Sequence, residues 1–404
     1  MKVAIIPALR GSVFYRIHQP YGYLKNVLGK DIFIYDRNSQ DSKRLKSEIL
    51  LADIIIYQKP ITESRYRAIK TIMSMTDKKR KVVADFDDYW LNVHSWNPAY
   101  GWLGTKDVNI LYADKEQVKA LMAVVPESEK PLIQINPDGS ATVTMWKNKT
   151  PGFDIEENLA RLRAIQCIIG EVDLLTVATQ QLSNKFRKYR PHGKMAVLPN
   201  LIDFNRFQPM GKKNDGKIRI VWQDGATHYQ DLQMVKLELL SFAVKHPEVE
   251  YIFKGVKHLG LFHEIKERVQ WLPWDSDIFE YYKNLGELSA DIAICPLIDD
   301  EFNDGKSPLK WEEMSAMKVP CVCSPTVYSN FVEHGKTGFI AKQGQWEACL
   351  EELLDPEKRE QIGQNAYKEV KSKFSIDKAT LYWSALEDLM SENDSSRSSQ
   401  WKTS

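Results

Sequence analysis

GKSPLKWEEMSAMKVPCVCSP, Gly305 to Pro325, reads as an anion-gripping loop, a short helix and a buried strand in immediate succession. Lys306 and Lys310 flank Ser307, Pro308 and Leu309, and Pro308 suits the first turn of a helix, where its missing N–H costs nothing. A helix start carries partial positive charge and outward N–H donors, so a diphosphate is a natural ligand for it, with the two lysines adding full charges. Glu313 stands two turns beyond Lys306. That spacing puts a carboxylate about a nucleotide's length from the phosphates, where it can accept from two adjacent ribose hydroxyls. The stretch predicts a nucleotide-sugar site in a parallel α/β domain. A solvated, lysine-rich helix start is the competing reading, and it leaves the flanking sequence unexplained.

Glu313-Met314-Ser315-Ala316-Met317-Lys318-Val319-Pro320, followed by the apolar Cys321-Val322-Cys323, resembles the C-terminal signature of the retaining glycosyltransferases of family 4, the glycosyl transferases of group 1. The resemblance implies the GT-B fold, two Rossmann-like domains facing a cleft. Glu313 matches the second glutamate of that family's Glu-x7-Glu, but the first falls on Gly305. Holding the donor sugar, the first glutamate's task in the family, then passes to Asp304 or Asn303 or is unfilled. Val197 to Asp203 resembles the strand that closes the N-terminal domain, and Phe331 to Phe339 resembles the turn after the signature strand. The similarity is strong from about Asp173 onward and thin before it.

A chain of 404 residues with 43% hydrophobic content suits two α/β cores better than one. Val3 to Leu9 is short and contains Pro7, so it predicts an opening buried strand and not a signal peptide; with no membrane span in the sequence, a cytoplasmic protein is expected. Five cysteines with no CxxC pair fit reduced, buried thiols, with neither a disulfide nor a zinc site expected. Fifty-five basic against fifty-four acidic residues leave a net charge of +1. Such a balance disfavours nucleic acid as a partner and leaves room for peripheral membrane contact only through local patches. Lys78 to Lys81 and Asn184 to Lys194 are basic, but both read as helix C-termini, where cations are favoured anyway.

Apolar runs alternate with helical stretches in the manner of two doubly wound domains. Strands are predicted at Val3 to Ile6, Asp53 to Tyr57, Val82 to Ala84, Leu174 to Val177 and Met195 to Leu198, and again at Ile218 to Trp222, Tyr251 to Phe253, Val269 to Leu272, Ile292 to Cys295 and Cys321 to Cys323. The implied division is an N-terminal acceptor domain over 1–203, a linker over 204–216, a nucleotide-sugar domain over 217–374 and a disordered tail over 391–404. Within the first domain, about 131–147 predicts a β-hairpin insertion around Asn136-Pro137-Asp138-Gly139, serving recognition or an oligomer contact. A helix over 375–390 carries Leu381, Trp383, Leu386 and Leu389, and the resemblance implies that it packs back on the first domain.

Transfer of a sugar requires the departing diphosphate stabilised, the acceptor aligned and water excluded, and open α/β sheets place such work at the carboxyl ends of their strands. After the first strand of the second domain come Gly225, Thr227, His228 and Asp231, which resemble a family 4 subset with Thr-His and a nearby aspartate in place of the usual arginine and lysine. Lys306, Lys310 and the loop N–H groups, with Ser307 and Leu309, would then neutralise the leaving charge. Trp274 is the candidate wall for the nucleotide base. In the first domain, Arg16 is placed to bind diphosphate or acceptor, and one of Asp85, Asp87 and Asp88 to orient the acceptor hydroxyl or take its proton, all three being expected in solvent. Asp87, Asp88 and Arg16 are accordingly the catalytic candidates. Trp90, His94 and Trp96 offer aromatic faces for a flat acceptor, or else form a satellite core under a loop.

The sequence thus predicts a hexosyltransferase using a uridine or guanosine diphosphate sugar, a saccharide or other hydroxyl acceptor, no bound cofactor and no metal, with retention implied by the resemblance. Three alternatives stand beside it. One is a phage-type DNA glycosyltransferase acting on a hydroxymethylated base, and another is a sugar-nucleotide-binding protein without catalysis, motivated by Gly305. The third is a metal-dependent GT-A enzyme using Asp85 and Asp87 as its Asp-x-Asp.

Overall fold

In the computed structural model, which describes residues 1–8, 12–36, 38, 41–75, 80–112, 118–119, 122, 133–148, 152–207, 211, 215–225, 228–255, 262–275 and 277–391, the chain divides into two compact units. Arg10, Gly11, Lys78, Lys79, Thr227 and the tail 392–404 lie outside the described residues. One unit comprises Met1–Asp88, Ala164–Asp203 and the segment from Phe374; the other comprises Tyr89–Arg163 and Phe204–Lys373.

The first unit opens with β1 (Val3–Ile6), β2 (Ile32–Ile34), β3 (Ile54–Gln58) and β4 (Lys81–Phe86). The chain then leaves it for β5 (Val108–Tyr112), β6 (Ile133–Ile135) and β7 (Ala141–Trp146), and returns to it for β8 (Leu174–Val177) and β9 (Met195–Val197). Its sheet is parallel throughout, in the order β2-β1-β3-β4-β8-β9. Val3 to Ile6 and Ile54 to Tyr57 are buried without alternation, as strands covered on both faces must be. Near Phe374 the chain bridges to Ile202, whose N–H donates to the Phe374 carbonyl at 2.7 Å. The helix Thr380–Ser391 that follows buries Tyr382, Trp383, Leu386 and Leu389 in the same core as Tyr21 and Leu24. Leu381 stands outside that stripe and is 49% exposed.

The insertion is larger than a hairpin. β5 joins β6 and β7 in an antiparallel sheet of order β5-β7-β6, and by its contacts the segment groups with the second unit instead of the N-terminal strands. Tyr100 stacks on Phe153 at 6.0 Å and Trp146 Nε1 donates to the Ser95 carbonyl at 2.8 Å, so the insertion has a small aromatic core of its own.

The second unit's sheet, β10 (Ile218–Asp224), β11 (Val249–Gly255), β12 (Val269–Leu272), β13 (Ile292–Cys295), β14 (Cys321–Cys323) and β15 (Phe339–Ile340), is again all parallel, in the order β12-β11-β10-β13-β14-β15. Helices Tyr229–Lys245 and Trp346–Glu352 cover one face through Leu232, Leu239, Phe242, Trp346 and Leu350. On the other side, Leu309–Ala316 ends sharply. Lys318 takes φ 60° and the Val319 N–H returns to the Met314 carbonyl at 2.9 Å, which turns the chain directly into β14.

Candidate active site

The loop after β13 is pinned before its helix begins. Leu297 N–H donates to Ser324 Oγ and Ile298 N–H to Asp231 Oδ1, both at 2.8 Å, and Asn303 Nδ2 donates to the Ile298 carbonyl at 3.0 Å. Asp300 Oδ1 accepts from Asn303 N–H at 2.7 Å, closing the turn Asn303–Gly305. Pro308 caps the helix Leu309–Ala316, one place earlier than the first turn in which the sequence puts it. Lys306, Ser307, Leu309 and Lys310 are all half-buried around that helix start, whose leading N–H groups favour an anion. The polar groups of Asn303 are used to hold the loop, although its Oδ1 is buried with no hydrogen-bond partner among the described residues.

Lys306 does not hang freely over this loop. Its Nζ lies 4.8 Å from the centre of the Phe302 ring, a cation–π contact that fixes the ammonium's direction. Trp90 and His94 meet the same ring edge-on, each at 5.7 Å between centroids, and Asn92 Nδ2 donates to Glu301 Oε2 at 2.6 Å. Phe302 is 2% exposed and Trp90 6%. Two of the three aromatic rings proposed for the acceptor therefore brace the anion loop, as the satellite-core alternative has it; Trp96 is half-buried. Burial draws the His94 pKa down, Asp300 opposing and Lys306 reinforcing, so the imidazole is neutral at pH 7.

Glu313 is held by two neutral donors. Gln223 Nε2, at the end of β10, donates to Glu313 Oε2 at 2.8 Å, and the Tyr281 hydroxyl lies 2.9 Å from both Glu313 Oε2 and Gln223 Oε1. All three side chains are buried. Tyr281 comes from the helix Ile278–Glu287, whose apolar face also buries Tyr282 and Leu285, and its ring faces Trp274 at 6.2 Å and 30°. Trp274 itself is 59% exposed, so a flat group can reach it. Beside Glu313, Glu312 is 1% exposed, and neither of its oxygens has a hydrogen-bond partner among the described residues. Burial, and after it the charge of Glu313, pushes its pKa well above the usual carboxylate value.

At the end of β10, a Cβ added to Gly225 would meet nothing within 4 Å, so the protein's own packing does not demand glycine there. His228 Nδ1 lies 2.5 Å from Asp231 Oδ2, while Asp231 Oδ1 takes the Ile298 N–H. One carboxylate thus orients the imidazole and ties the Tyr229–Lys245 helix to the anion loop.

The first unit's candidates divide differently. Arg16 is fully buried; its Nε donates to Asp85 Oδ2 at 3.1 Å and its Nη2 to Asp85 Oδ1 at 2.5 Å, while Nη1 reaches the Leu198 carbonyl and the Tyr382 hydroxyl. Burial works against that charge, but Asp85 and Tyr382 outweigh it and raise the Arg16 pKa. Thr176 Oγ1 adds a 2.7 Å bond to Asp85. The solvated carboxylate run predicted from sequence therefore fails at Asp85, which is 3% exposed and belongs to the scaffold. Asp87 and Asp88 are half-buried. For Asp87, burial alone would raise the pKa, but Lys59, the Ser12 hydroxyl and Arg16 together bring it below the usual range, so it stays ionised.

Residues 231–369 match the family model described as Glycosyl transferases group 1. The chain is a glycosyltransferase with the GT-B fold. Among solved structures, it superposes on sucrose-phosphate synthase from Thermosynechococcus elongatus with TM-score 0.58 at 12% identity, covering 96% of this chain and 98% of the other. A glycosyltransferase from Rickettsia africae gives 0.56 at 16%, covering 97% and 99%. HepE from Anabaena, solved with UDP and glucose, gives 0.54 at 14%, covering 96% and 99%. No curated protein matches. Two parallel sheets and these neighbours overturn the GT-A alternative, which has no use for a second Rossmann-like domain. Among the described residues, no helix is long and apolar enough to cross a membrane.

Proposed function

We propose that the protein transfers a hexose from a uridine or guanosine diphosphate sugar to a hydroxyl acceptor, with retention at the anomeric carbon and without a catalytic metal. The observation that carries this is Glu313, a buried carboxylate held by Gln223 and Tyr281 one turn into a helix that starts at a lysine-flanked loop. The diphosphate docks at Ser307 to Leu309 between Lys306 and Lys310, and the ribose hydroxyls donate to Glu313. Trp274 covers the base. His228, oriented by Asp231, and the open backbone at Gly225 face the sugar end of the donor. As the bond to the sugar breaks, charge develops on the diphosphate, and the lysines with the helix start stabilise it more than they stabilise the intact donor. Asp87, kept ionised, positions the acceptor hydroxyl and receives its proton. Five free cysteines suit a reducing compartment, which supports a cytoplasmic location.

The test is to incubate the protein with uridine, guanosine and adenosine diphosphate hexoses and follow diphosphate release and the anomeric configuration of the product. Glu313→Ala and Lys310→Ala should abolish release, and a chelator should leave it unchanged. Binding of a donor that is never turned over, with or without candidate acceptors, would favour the non-catalytic alternative.

A further inference from the structure

The first unit contains a helix none of whose residues is fully buried. In Ser42–Leu51, Leu45 and Ile49 share one face and are only half-buried, and Leu50 beside them is 42% exposed. Helices of this length depend on packing an apolar face, and among the described residues this one is only partly covered. Between it and the helix Glu63–Met73 lies a cavity of ≈ 500 Å³. It opens to solvent, and its volume is in the range of small-molecule sites.

The lining is apolar with a cationic component. Ile6 and Tyr57, paired across β1 and β3, form one side; Leu45 and Ile49 come from the partly covered helix, and Ala68 and Ile72 from its neighbour. Lys46 and Arg65 also line the cavity, and no aspartate or glutamate does among the described residues. Its place in the sheet matters as much as its chemistry. Ile6 and Tyr57 stand at the carboxyl ends of their strands, Tyr57 pairs with Ala84 of β4, and the Lys59 that stabilises ionised Asp87 is two residues beyond Tyr57. That edge is where open α/β sheets bind their ligands.

We infer that this cavity takes the apolar chain of an anionic amphiphile, and that this molecule carries the acceptor hydroxyl. The second half of the inference rests on the glycosyl transfer proposed above; the first half does not. Apolar walls gain from excluding water around a hydrocarbon chain, and two cations without a facing carboxylate select a negatively charged head over a neutral one.

Titrating the full chain with dodecyl phosphate below its micelle concentration, with dodecyl maltoside and inorganic phosphate as controls, tests it directly. Saturable uptake of one dodecyl phosphate per chain is expected, with inorganic phosphate not bound measurably. Ala68→Phe fills the cavity and should weaken uptake about tenfold or more without lowering the unfolding temperature, and Ala68→Leu should give a smaller shift in the same direction. Lys46→Glu combined with Arg65→Glu should weaken dodecyl phosphate but not dodecyl maltoside. No saturable uptake, uptake indifferent to both Ala68 variants, or a concentration-dependent dimer that Ala68→Phe dissolves would each overturn the inference, the last by showing a second copy as the occupant. Titration of the same samples with UDP and GDP separates the two proposals. Nucleotide binding without amphiphile uptake sinks the cavity assignment alone, and the reverse sinks the donor site and the acceptor role while the amphiphile site stands.

Discussion

Asp85 in the first unit and Glu313 in the second are almost equally buried, at 3% and 4% exposure, yet the protein surrounds them in opposite ways. Asp85 is matched by a full charge, the Arg16 guanidinium, and by the Thr176 hydroxyl. Glu313 takes its bonds from an amide and a phenol. A carboxylate neutralised by a buried cation has little left to offer a ligand, whereas the amide and the phenol that hold Glu313 in place add no charge of their own. The first arrangement stabilises a scaffold that joins β4, the opening helical segment and the C-terminal helix. The second is suited to binding.

Removing one partner from each arrangement should separate these roles. Arg16→Met leaves Asp85 as an uncompensated buried anion and should cost about 3–5 kcal/mol of stability, measured by urea unfolding, with Asp85→Leu in the same chain restoring much of it. Glu313→Gln preserves shape and should change stability by less than about 1.5 kcal/mol. A larger stability loss at Glu313 than at Arg16 would reverse the assignment of scaffold and site.

Nucleotide affinity is the complementary measurement. Hydrogen bonds to a charged acceptor are worth about 1.5–3 kcal/mol, so Glu313→Gln should weaken UDP or GDP binding by roughly ten- to a hundredfold in calorimetry. Asp85→Asn should weaken it only as far as the fold is disturbed. A third, smaller effect belongs to the brace under the anion loop. Each aromatic contact is worth about 0.5–1.5 kcal/mol, and Phe302→Leu loses the contacts to Trp90, His94 and Lys306 together, so the donor KM should rise about three- to tenfold with kcat less affected. A fall in kcat at constant KM would mean that the loop needs no brace to bind.

The same contrast explains what was legible in the sequence. Val3-Ala4-Ile5-Ile6 and Ile292-Ala293-Ile294-Cys295 announce themselves because a strand buried on both faces must be apolar at every position. β2, β5 and β15 carry weaker patterns: β2 has three residues and β15 two, and β5 alternates around Asn109. Gly305 to Glu313 was readable because loop, cap and carboxylate fall within one short segment. The partners of that carboxylate were not, since Gln223 lies 90 residues away and Tyr281 32, and nothing in a helix patterned Ile278, Tyr281, Tyr282, Leu285 distinguishes a core tyrosine from one that holds a functional group. The acidic run after β4 misled for a related reason. Three carboxylates close in sequence suggest solvent, but Asp85 still lies within β4, a strand buried on both faces, and meets Arg16, 69 residues earlier in the chain.

The finest test of the comparison is acid titration of the brace, because His94 stands between Asp300 and Lys306 and touches Phe302. Its pKa in the folded protein is below the ordinary 6.5, chiefly through burial. The unfolded chain therefore takes up the proton first as pH falls. Above about 6.5 the histidine has no effect on the pH dependence of stability; below it the folded state loses ground until it too is protonated, and the loss is then constant. Wild-type protein should accordingly lose more stability between pH 7.5 and 5.5 than His94→Gln, in urea titrations at the two values. Protonation would also add a second cation beside Lys306 and disturb the ring that orients it, so the difference between wild type and His94→Gln should reappear in KM for the donor over the same interval. Parallel stability slopes for the two proteins would show His94 to be solvated in both states, and the brace would then reduce to Trp90 and Phe302.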